Sequence, residues 1–367
     1  MNNLEDKITV LYENKPCYDI LYRNGFKDLN TVLMDLNLKN RKVCIVTDSN
    51  VEREYSELLM NQIASDVKEA FVFSFPYGEV NKNLDTVHNL YEFLIGKAFD
   101  RNDVLIALGG GVVGDLTGFT AATYLRGIRF IQIPTTLLSM VDSSIGGKTG
   151  VDFHSYKNMV GAFYMPKSVY MNISSLQTLK EAEYFSGMGE IIKHGLIKDI
   201  DYYHWLKENI EGIKKKDYTV LCSMIKRSCE IKKEVVEKDP KEQGERALLN
   251  FGHTIGHAVE KLMGLKLLHG ECVSIGIVAA SYISMKRGYI LSEEFTDIKN
   301  TLLDFHLPIH IEELDIEEIL ETITRDKKMD AGKIKFILLR SMGDAFIDTT
   351  VTKEEMLEAV EYLMIRK

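Results

Sequence analysis

Three histidines and a glutamate carry the chemistry that stands out in this chain. In Asn250-Phe-Gly-His253-Thr-Ile-Gly-His257-Ala-Val-Glu260 two histidines stand four residues apart. On a helix they share one face, with Asn250 one turn earlier. His-x-x-x-His is metal-ligand spacing, and the apolar helix around the pair favours ligands over ordinary core or surface histidines. His269-Gly270-Glu271 opens a further apolar helix, from which a histidine can turn back towards the preceding one. In Gly187-Met-Gly189-Glu190-Ile-Ile-Lys193-His194, Glu190 and Lys193 share a face at i,i+3. A surface ion pair is the plain explanation. The apolar, glycine-rich flanks point instead to a close-packed helix, where a glutamate needs a metal or a cation beside it. One glutamate with two histidines makes a three-ligand zinc site with an open position, and spacing alone puts His253 and His257 on that metal.

A second set of residues suits anions. Val104-Leu-Ile-Ala-Leu-Gly109-Gly-Gly-Val-Val-Gly114-Asp115 reads as a strand, a glycine turn and a helix. Such a turn lets backbone N–H groups approach a pyrophosphate; a tight turn that merely needs glycine is the alternative. Asp48 ends an apolar strand, where a carboxylate can accept from ribose hydroxyls or cap a helix. Asp142-Ser-Ser-Ile-Gly146-Gly147-Lys148-Thr149-Gly150 ends like a P-loop, but Ser143 stands where the first glycine belongs and no apolar strand leads in. A glycine loop carrying a lysine still fits an anionic substrate. Lys148, Lys193, Lys232, Arg246 and Arg126 together can form a phosphate clamp, although each alone reads as a solvated cation.

These residues need elements to position them. Apolar runs at 42–47, 70–75, 103–108 and 130–133 read as buried strands, with helix-length segments such as 83–97 between them. That alternation predicts a parallel, Rossmann-like α/β sheet covered on both faces. After residue 178 helical periodicity takes over, at 179–198, 201–215, 220–237, 245–263 and 271–287, with one strand-like run at 333–339. The expected architecture is an α/β domain over 1–178, then a mostly α-helical metal- and substrate-binding domain over 179–367. The chain has 367 residues, enough for a large core without disulfides. Its net charge of −9 argues against nucleic acid as a partner. No membrane span and no signal peptide are read, and five scattered cysteines suit free thiols in a reducing cytoplasm.

The residues also resemble a known family. The matching stretches are Gly78-Glu79…Lys82, Leu108 to Phe119, Tyr124 to Leu138, Val141 to Gly150, Lys157 to Phe163, Gly189 to Lys193, Leu249 to His257 and His269 to Glu271. In combination they resemble the 3-dehydroquinate synthases. The resemblance implies a homodimeric cytoplasmic enzyme that uses NAD and zinc; by its donor chemistry a Glu-His-His set takes cobalt or iron as well. The substrate would be a small anionic sugar phosphate, 3-deoxy-D-arabino-heptulosonate 7-phosphate, closed to 3-dehydroquinate with loss of phosphate. By motif, Glu190, His253 and His269 would be the metal ligands, which moves His257 to a catalytic or phosphate-contacting role. Lys148, Lys193, Lys232, Arg246, Asn250 and Asp142 would hold the substrate, and Arg126 would reach its phosphate across the dimer. Lys327 or Lys328 would close the site. NAD would be held by Asp48, Glu79, Lys82, Gly111, Val112, Val113, Gly114, Asp115, Thr135, Thr136, Lys148, Lys157 and Thr178.

Three positions depart from the family's habit: Tyr156 precedes Lys157 where glycine is frequent, Gly189 replaces a frequent alanine, and Asn172 stands where aspartate is common. Two enzyme classes compete with this reading. A sister cyclase such as 2-deoxy-scyllo-inosose synthase would share the fold, NAD and metal. A metal-dependent polyol dehydrogenase would make net NADH and should lack the Lys148–Lys193–Arg246 clamp. A non-catalytic binding protein would need neither three intact ligands nor that clamp.

Overall fold

The computed structural model describes residues 7–154, 156–264, 266–312, 314–328 and 334–364, with backbone alone at 326–328. The chain forms two compact units, Met1–Leu179 and Lys180–Lys367.

The first unit is built on strands β1 (Lys7–Tyr12), β2 (Lys15–Arg23), β3 (Lys42–Asp48), β4 (Glu69–Phe75), β5 (Val104–Gly109), β6 (Arg129–Pro134), β7 (Lys148–Phe153), β8 (Tyr156–Phe163) and β9 (Ser168–Asn172). Its helices are α1 (Leu29–Asp35), α2 (Ser49–Val51), α3 (Glu57–Ile63), α4 (Leu84–Gly96) and α5 (Gly111–Thr123). Seven strands make one sheet in the order β1-β2-β9-β6-β5-β3-β4, parallel except for β1 against β2. The apolar runs of β3 and β5 are buried on both faces, as a covered parallel sheet requires. On one face Leu29, Leu33, Leu59 and Ile63 of α1 and α3 pack on Val43, Ile45, Ile106 and Leu108. On the other, Val87, Leu90, Leu94 and Leu116 of α4 and α5 pack on Cys44, Val46, Leu105 and Ala107.

The four strands expected from apolar runs are β3 to β6. β1, β2 and β9 lack that signal: β1 and β2 alternate buried and accessible residues, and β9 is only five residues long. The loop expected at Lys148 is instead the start of β7, paired antiparallel with β8 from Lys148 opposite Phe163. β8 is mostly exposed and lacks an apolar run of its own. From β3 the chain moves to β4 on one side, and from β5 to β6 on the other. The order therefore reverses between β3 and β5, where an open α/β sheet leaves a crevice at its carboxyl edge.

The second unit carries α6 (Glu181–Lys198), α7 (Ile200–Glu208), α8 (Ile210–Lys214), α9 (Tyr218–Lys238), α10 (His253–Met263), α11 (His269–Lys286), α12 (Ser292–Asp304), α13 (Ile316–Lys328) and α14 (Lys353–Leu363), plus a hairpin of β10 (Phe336–Ser341) and β11 (Asp344–Asp348). The helix expected over 245–263 is broken. Glu245–Asn250 is a 3-10 turn, and Gly252 takes a left-handed φ of 80° before α10 starts at His253. Asn250 is therefore not one turn back on the helix that carries His253 and His257. The helix expected over 201–215 is likewise split, at Asn209, into α7 and α8. Among the described residues no helix is long and apolar enough to cross a membrane.

Three helices meet through glycine. A Cβ on Gly270 would lie 1.7 Å from the Ser186 carbonyl oxygen, and one on Gly276 would lie 1.7 Å from that of Gly252. Backbone thus touches backbone where α11 crosses α6 and the start of α10. That close approach brings Glu190, His253 and His269, carried on these three elements, to one point.

Candidate active site

Glu190 lies in the middle of α6 and is fully buried, whereas His253 and His269 are the first residues of α10 and α11. Glu190 Oε2 is ion-paired with Lys193 Nζ one turn on, and Lys193 is 1% exposed. Glu190 Oε1 is buried without a hydrogen bond. It faces His253 Nε2 and His269 Nε2, each at 3.6 Å. That separation is too long for a hydrogen bond. It suits neighbouring ligands on one ion, because atoms about 2.0–2.2 Å from a tetrahedral centre stand roughly 3.3–3.6 Å apart. The donor set of one carboxylate and two imidazoles, with an orphaned buried oxygen among them, fits a divalent metal.

The electrostatics agree. Burial pushes the Glu190 carboxyl up, but Lys193 and then the two imidazoles outweigh it and hold it well below the usual carboxylate range. Burial and Lys193 push the His253 imidazole well down, so it is neutral and able to donate a lone pair. Burial also opposes charge on His269, but the Glu190 and Glu260 carboxylates bring it up to about 10.

Spacing pairs His253 with His257; the structure groups His253 with Glu190 and His269 instead. His257 is exposed, its ring centroid 4.8 Å from that of His253 and 6.0 Å from that of His269. The physical reason is the break at Gly252. It makes His253 the first residue of α10, beside the equally N-terminal His269, while His257 stands a full turn further on.

Further cations are buried in the same unit. Arg246 and Asn250 sit on the 3-10 turn that packs on α9 and α6. Arg246 is 2% exposed and donates to the Pro240 carbonyl at 2.7 Å. Lys232, on α9, is 5% exposed. Asn250 Nδ2 donates to Glu242 Oε1 at 3.0 Å. Glu242, in a left-handed conformation, and the buried Glu260 both escape the sequence reading. The only sequence signal for Glu260 is its place three residues after His257. The side chains of Lys327 and Lys328 lie outside the described residues.

In the first unit the cofactor candidates collect at the sheet's carboxyl edge. Asp48 ends β3, and its Oδ1 accepts from the Asn50 and Val51 N–H groups, so it caps α2. Gly109 ends β5, and its carbonyl accepts from the Thr135 N–H just past β6. Gly111 to Asp115 form the first turn and a half of α5. A Cβ on Gly110 would meet Thr136 at 3.1 Å and one on Gly111 would meet Ser143 at 3.2 Å, so the turn is close-fitted to its neighbours. Thr135 Oγ1 is buried and makes no hydrogen bond among the described residues. Lys82 Nζ donates to Asp115 Oδ2 at 2.6 Å and to Asn158 Oδ1 at 2.5 Å, with Glu79 at 3.9 Å. Burial pushes the Asp115 carboxyl up; Lys82, opposed by burial, is raised by Asp115 and Glu79. Asn158, which joins this group from β8, is a third residue the sequence reading misses. Thr178 hydrogen-bonds Tyr55 at 2.6 Å. Lys148 and Lys157 are exposed on the β7–β8 hairpin, and Asp142 is half-buried in the turn Ser139–Ser143. Arg126 is exposed, in a loop where both Leu125 and Arg126 have positive φ.

An α/β sheet with a glycine turn at its switch point, and a helical unit with a Glu-His-His cluster, define a metal-dependent enzyme of the dinucleotide-using type. The chain matches the family model for the 3-dehydroquinate synthase N-terminal domain over residues 72–186 and that for the C-terminal domain over 187–329. It is 44% identical over 343 residues to the 3-dehydroquinate synthase of Acetivibrio thermocellus, covering 94% of this chain and 95% of that one. The chain therefore belongs to the 3-dehydroquinate synthase family. Its fold is similar to that of a solved 2-epi-5-epi-valiolone synthase from Streptomyces hygroscopicus subsp. jinggangensis 5008 with NAD+ and Zn2+ bound, at a TM-score of 0.88 and 27% identity over 97% of this chain and 98% of that one. A 2-deoxy-scyllo-inosose synthase structure shares the fold at the same TM-score and 24% identity, covering 97% and 99% of the two chains.

Proposed function

We propose that this chain is a phosphate-eliminating cyclase that converts 3-deoxy-D-arabino-heptulosonate 7-phosphate to 3-dehydroquinate and phosphate. The observation that carries the reading is the Glu190–His253–His269 cluster in a chain of this family, with buried Lys193, Lys232 and Arg246 in the same unit. Glu190, His253 and His269 would hold the metal, and the α5 turn with Asp48, Glu79, Lys82, Thr135, Thr136 and Thr178 would hold NAD. When bound, a divalent metal polarises a substrate hydroxyl, and NAD takes up and returns its hydride, with no net redox change. Lys193, Lys232, Arg246 and Asn250 would bind the substrate's carboxylate, hydroxyls and phosphate, and so set its orientation. Buried cations of this kind stabilise negative charge as the phosphate leaves, and the phosphate itself can accept the proton lost beside the ketone. His257, exposed beside the ligands, is placed to hold a proton or a phosphate oxygen. Lys148, Lys157 and Asp142 are assigned to the substrate and cofactor by motif.

The oligomer we infer is a homodimer, with Arg126 directed to the partner's substrate phosphate; its exposed, left-handed loop supports that reading. Sedimentation of the full chain tests it. Residence in the cytoplasm is supported by five free cysteines.

The deciding assay follows phosphate and NADH together, with zinc-loaded enzyme, the heptulosonate phosphate and sub-stoichiometric NAD. Many phosphates released per NAD without accumulating NADH is the expected result. No phosphate from that substrate would overturn the reading. Release from glucose 6-phosphate would transfer the chain to the sister cyclases, and net NADH from glycerol would make it a polyol dehydrogenase.

A further inference from the structure

His269 is held from both sides. Its Nε2 faces Glu190 Oε1 at 3.6 Å, and its Nδ1 lies 3.2 Å from Oε2 of Glu260, a buried carboxylate on α10. His253 has the same arrangement with a different partner: its Nε2 faces the same Glu190 oxygen, and its Nδ1 lies 3.1 Å from the Phe251 carbonyl oxygen. Each imidazole thus gives one nitrogen to an internal acceptor and turns the other to a shared point. The acceptors differ in charge, a neutral carbonyl for His253 and a carboxylate for His269.

We propose that Glu260 is a positioning residue for the metal. Its carboxylate accepts the Nδ1–H of His269, which fixes the tautomer that leaves the Nε2 lone pair free for the ion. It also supplies a second buried negative charge. That charge matters because Glu190 is already ion-paired with Lys193, so Glu190 alone leaves most of a divalent charge unmatched in a buried site. A carboxylate behind a ligating histidine orients the ring and raises its basicity.

Glu260 has one rival role. With His257 and His269 it could itself form a three-ligand group, since their ligand atoms lie within 4.8 Å of one another. That set would leave the buried Glu190 Oε1 with no partner, whereas the set with Glu190 gives that oxygen one.

The proposal rests on the metal-site reading above, and its test separates the two. Wild type, Glu260→Gln, Glu260→Ala and Glu190→Ala, each as the full chain, are stripped of metal. They are then titrated with Zn2+ against a chromophoric chelator and with Co2+ by visible absorption. The expected loss in Zn2+ affinity is about 10–100-fold for E260A and smaller for E260Q, whose amide oxygen still accepts from Nδ1. The Co2+ bands should shift in both, which a role in folding alone would not produce. Should E260A fail to fold, the isosteric E260Q carries the comparison. Affinities of the Glu260 variants within about twofold of wild type, with unchanged Co2+ bands, overturn the proposal alone. Loss of binding in E260A with retention in E190A also overturns it, because Glu260 would then be a ligand. A wild-type chain that binds no metal overturns the metal site and the proposal together.

Discussion

Each unit buries a lysine against a carboxylate, and the two pairs are opposite in design. In the α/β unit Lys82 is the centre: Asp115 and Asn158 accept from its ammonium, and Glu79 stands close by. The cation has two hydrogen-bond acceptors and a second carboxylate close by, so its charge is matched. In the helical unit the carboxylate is the centre: Glu190 is surrounded by Lys193, His253 and His269, yet neither buried oxygen has a hydrogen bond, and Oε1 lacks even the ion pair that Oε2 makes with Lys193. A buried charge is tolerated only when paired and hydrogen-bonded. By that measure the first pair is finished protein architecture beside a cofactor turn, and the second is unfinished until a cation arrives. The contrast shows how to tell a structural ion pair from a ligand site: count what the central atom still lacks.

The largest expected effect breaks the second pair. Glu190→Ala removes the central ligand and strands Lys193 in the core. Activity should fall by at least about 10³-fold with loss of bound zinc, and the metal-free protein should lose about 3–5 kcal/mol, since an uncompensated buried charge remains. The double variant Glu190→Ala/Lys193→Met should recover most of that stability but none of the zinc. Urea denaturation and metal analysis of the same samples check both statements. Recovery of stability in the single variant alone would show that Lys193 has another counter-charge.

Next in size is the packing that brings the ligands together. Gly270→Ala drives a Cβ to within 1.7 Å of the Ser186 carbonyl oxygen, which is backbone and cannot rotate away. The helices must separate, at about 3 kcal/mol or more. His269 is the adjacent residue, so zinc affinity should fall with stability. Thermal unfolding with and without zinc measures both, and a fall in stability at unchanged affinity would show that the site tolerates the shift.

Breaking the first pair should be milder. Lys82→Met leaves Asp115 without its cation, but Asp115 keeps some exposure and can take up a proton instead. A loss of about 1–3 kcal/mol at neutral pH is expected, with NAD binding weakened about tenfold. The sign of the pH dependence follows from linkage. Asp115 is already raised by burial, and removing Lys82 raises it further. A group whose folded pKa is raised holds its stabilising share below its unfolded pKa and loses it as pH rises through the folded one. The deficit of Lys82→Met relative to wild type should therefore shrink as pH falls towards about 4. A constant deficit between pH 4 and 7 would mean that Asp115 is not the group left stranded.

Much of this was legible in residue types and periods. β3 to β6 announce themselves as apolar runs, and helical periodicity after residue 178 separates the two halves. The candidate ligand elements were legible as motifs, but spacing alone pairs His253 with His257, and only the family resemblance points to His253 and His269 beside Glu190. That choice depends on the left-handed Gly252, which ends the Glu245–Asn250 turn and restarts the helix at His253. A continuous 3.6-residue pattern hides such a break. Glu260 and Asn158 were missed for a related reason: the atoms they contact belong to residues 9 and 76 positions away. Local spacing cannot find a partner that only packing supplies.

The smallest expected effect sharpens the contrast between the two units. Gly114 lies in the first turns of α5, and a Cβ there would meet nothing nearer than Gln132 Oε1 at 3.5 Å, an ordinary contact. Nothing among the described residues forbids alanine at this position. Alanine in a helix is favoured over glycine by up to about 1 kcal/mol, so Gly114→Ala should leave the unfolding midpoint unchanged or slightly raised. If the turn exists to let a pyrophosphate approach its backbone, the same methyl should weaken NAD binding several-fold, read by calorimetric titration of the full chain. At Gly270 stability and ligand affinity should fall together, because that glycine serves helix packing. At Gly114 they should separate, because the space a methyl would fill belongs to the ligand. If both quantities are unchanged in Gly114→Ala, the turn's glycine is a conformational convenience and the pyrophosphate lies elsewhere along the β3–β5 crevice.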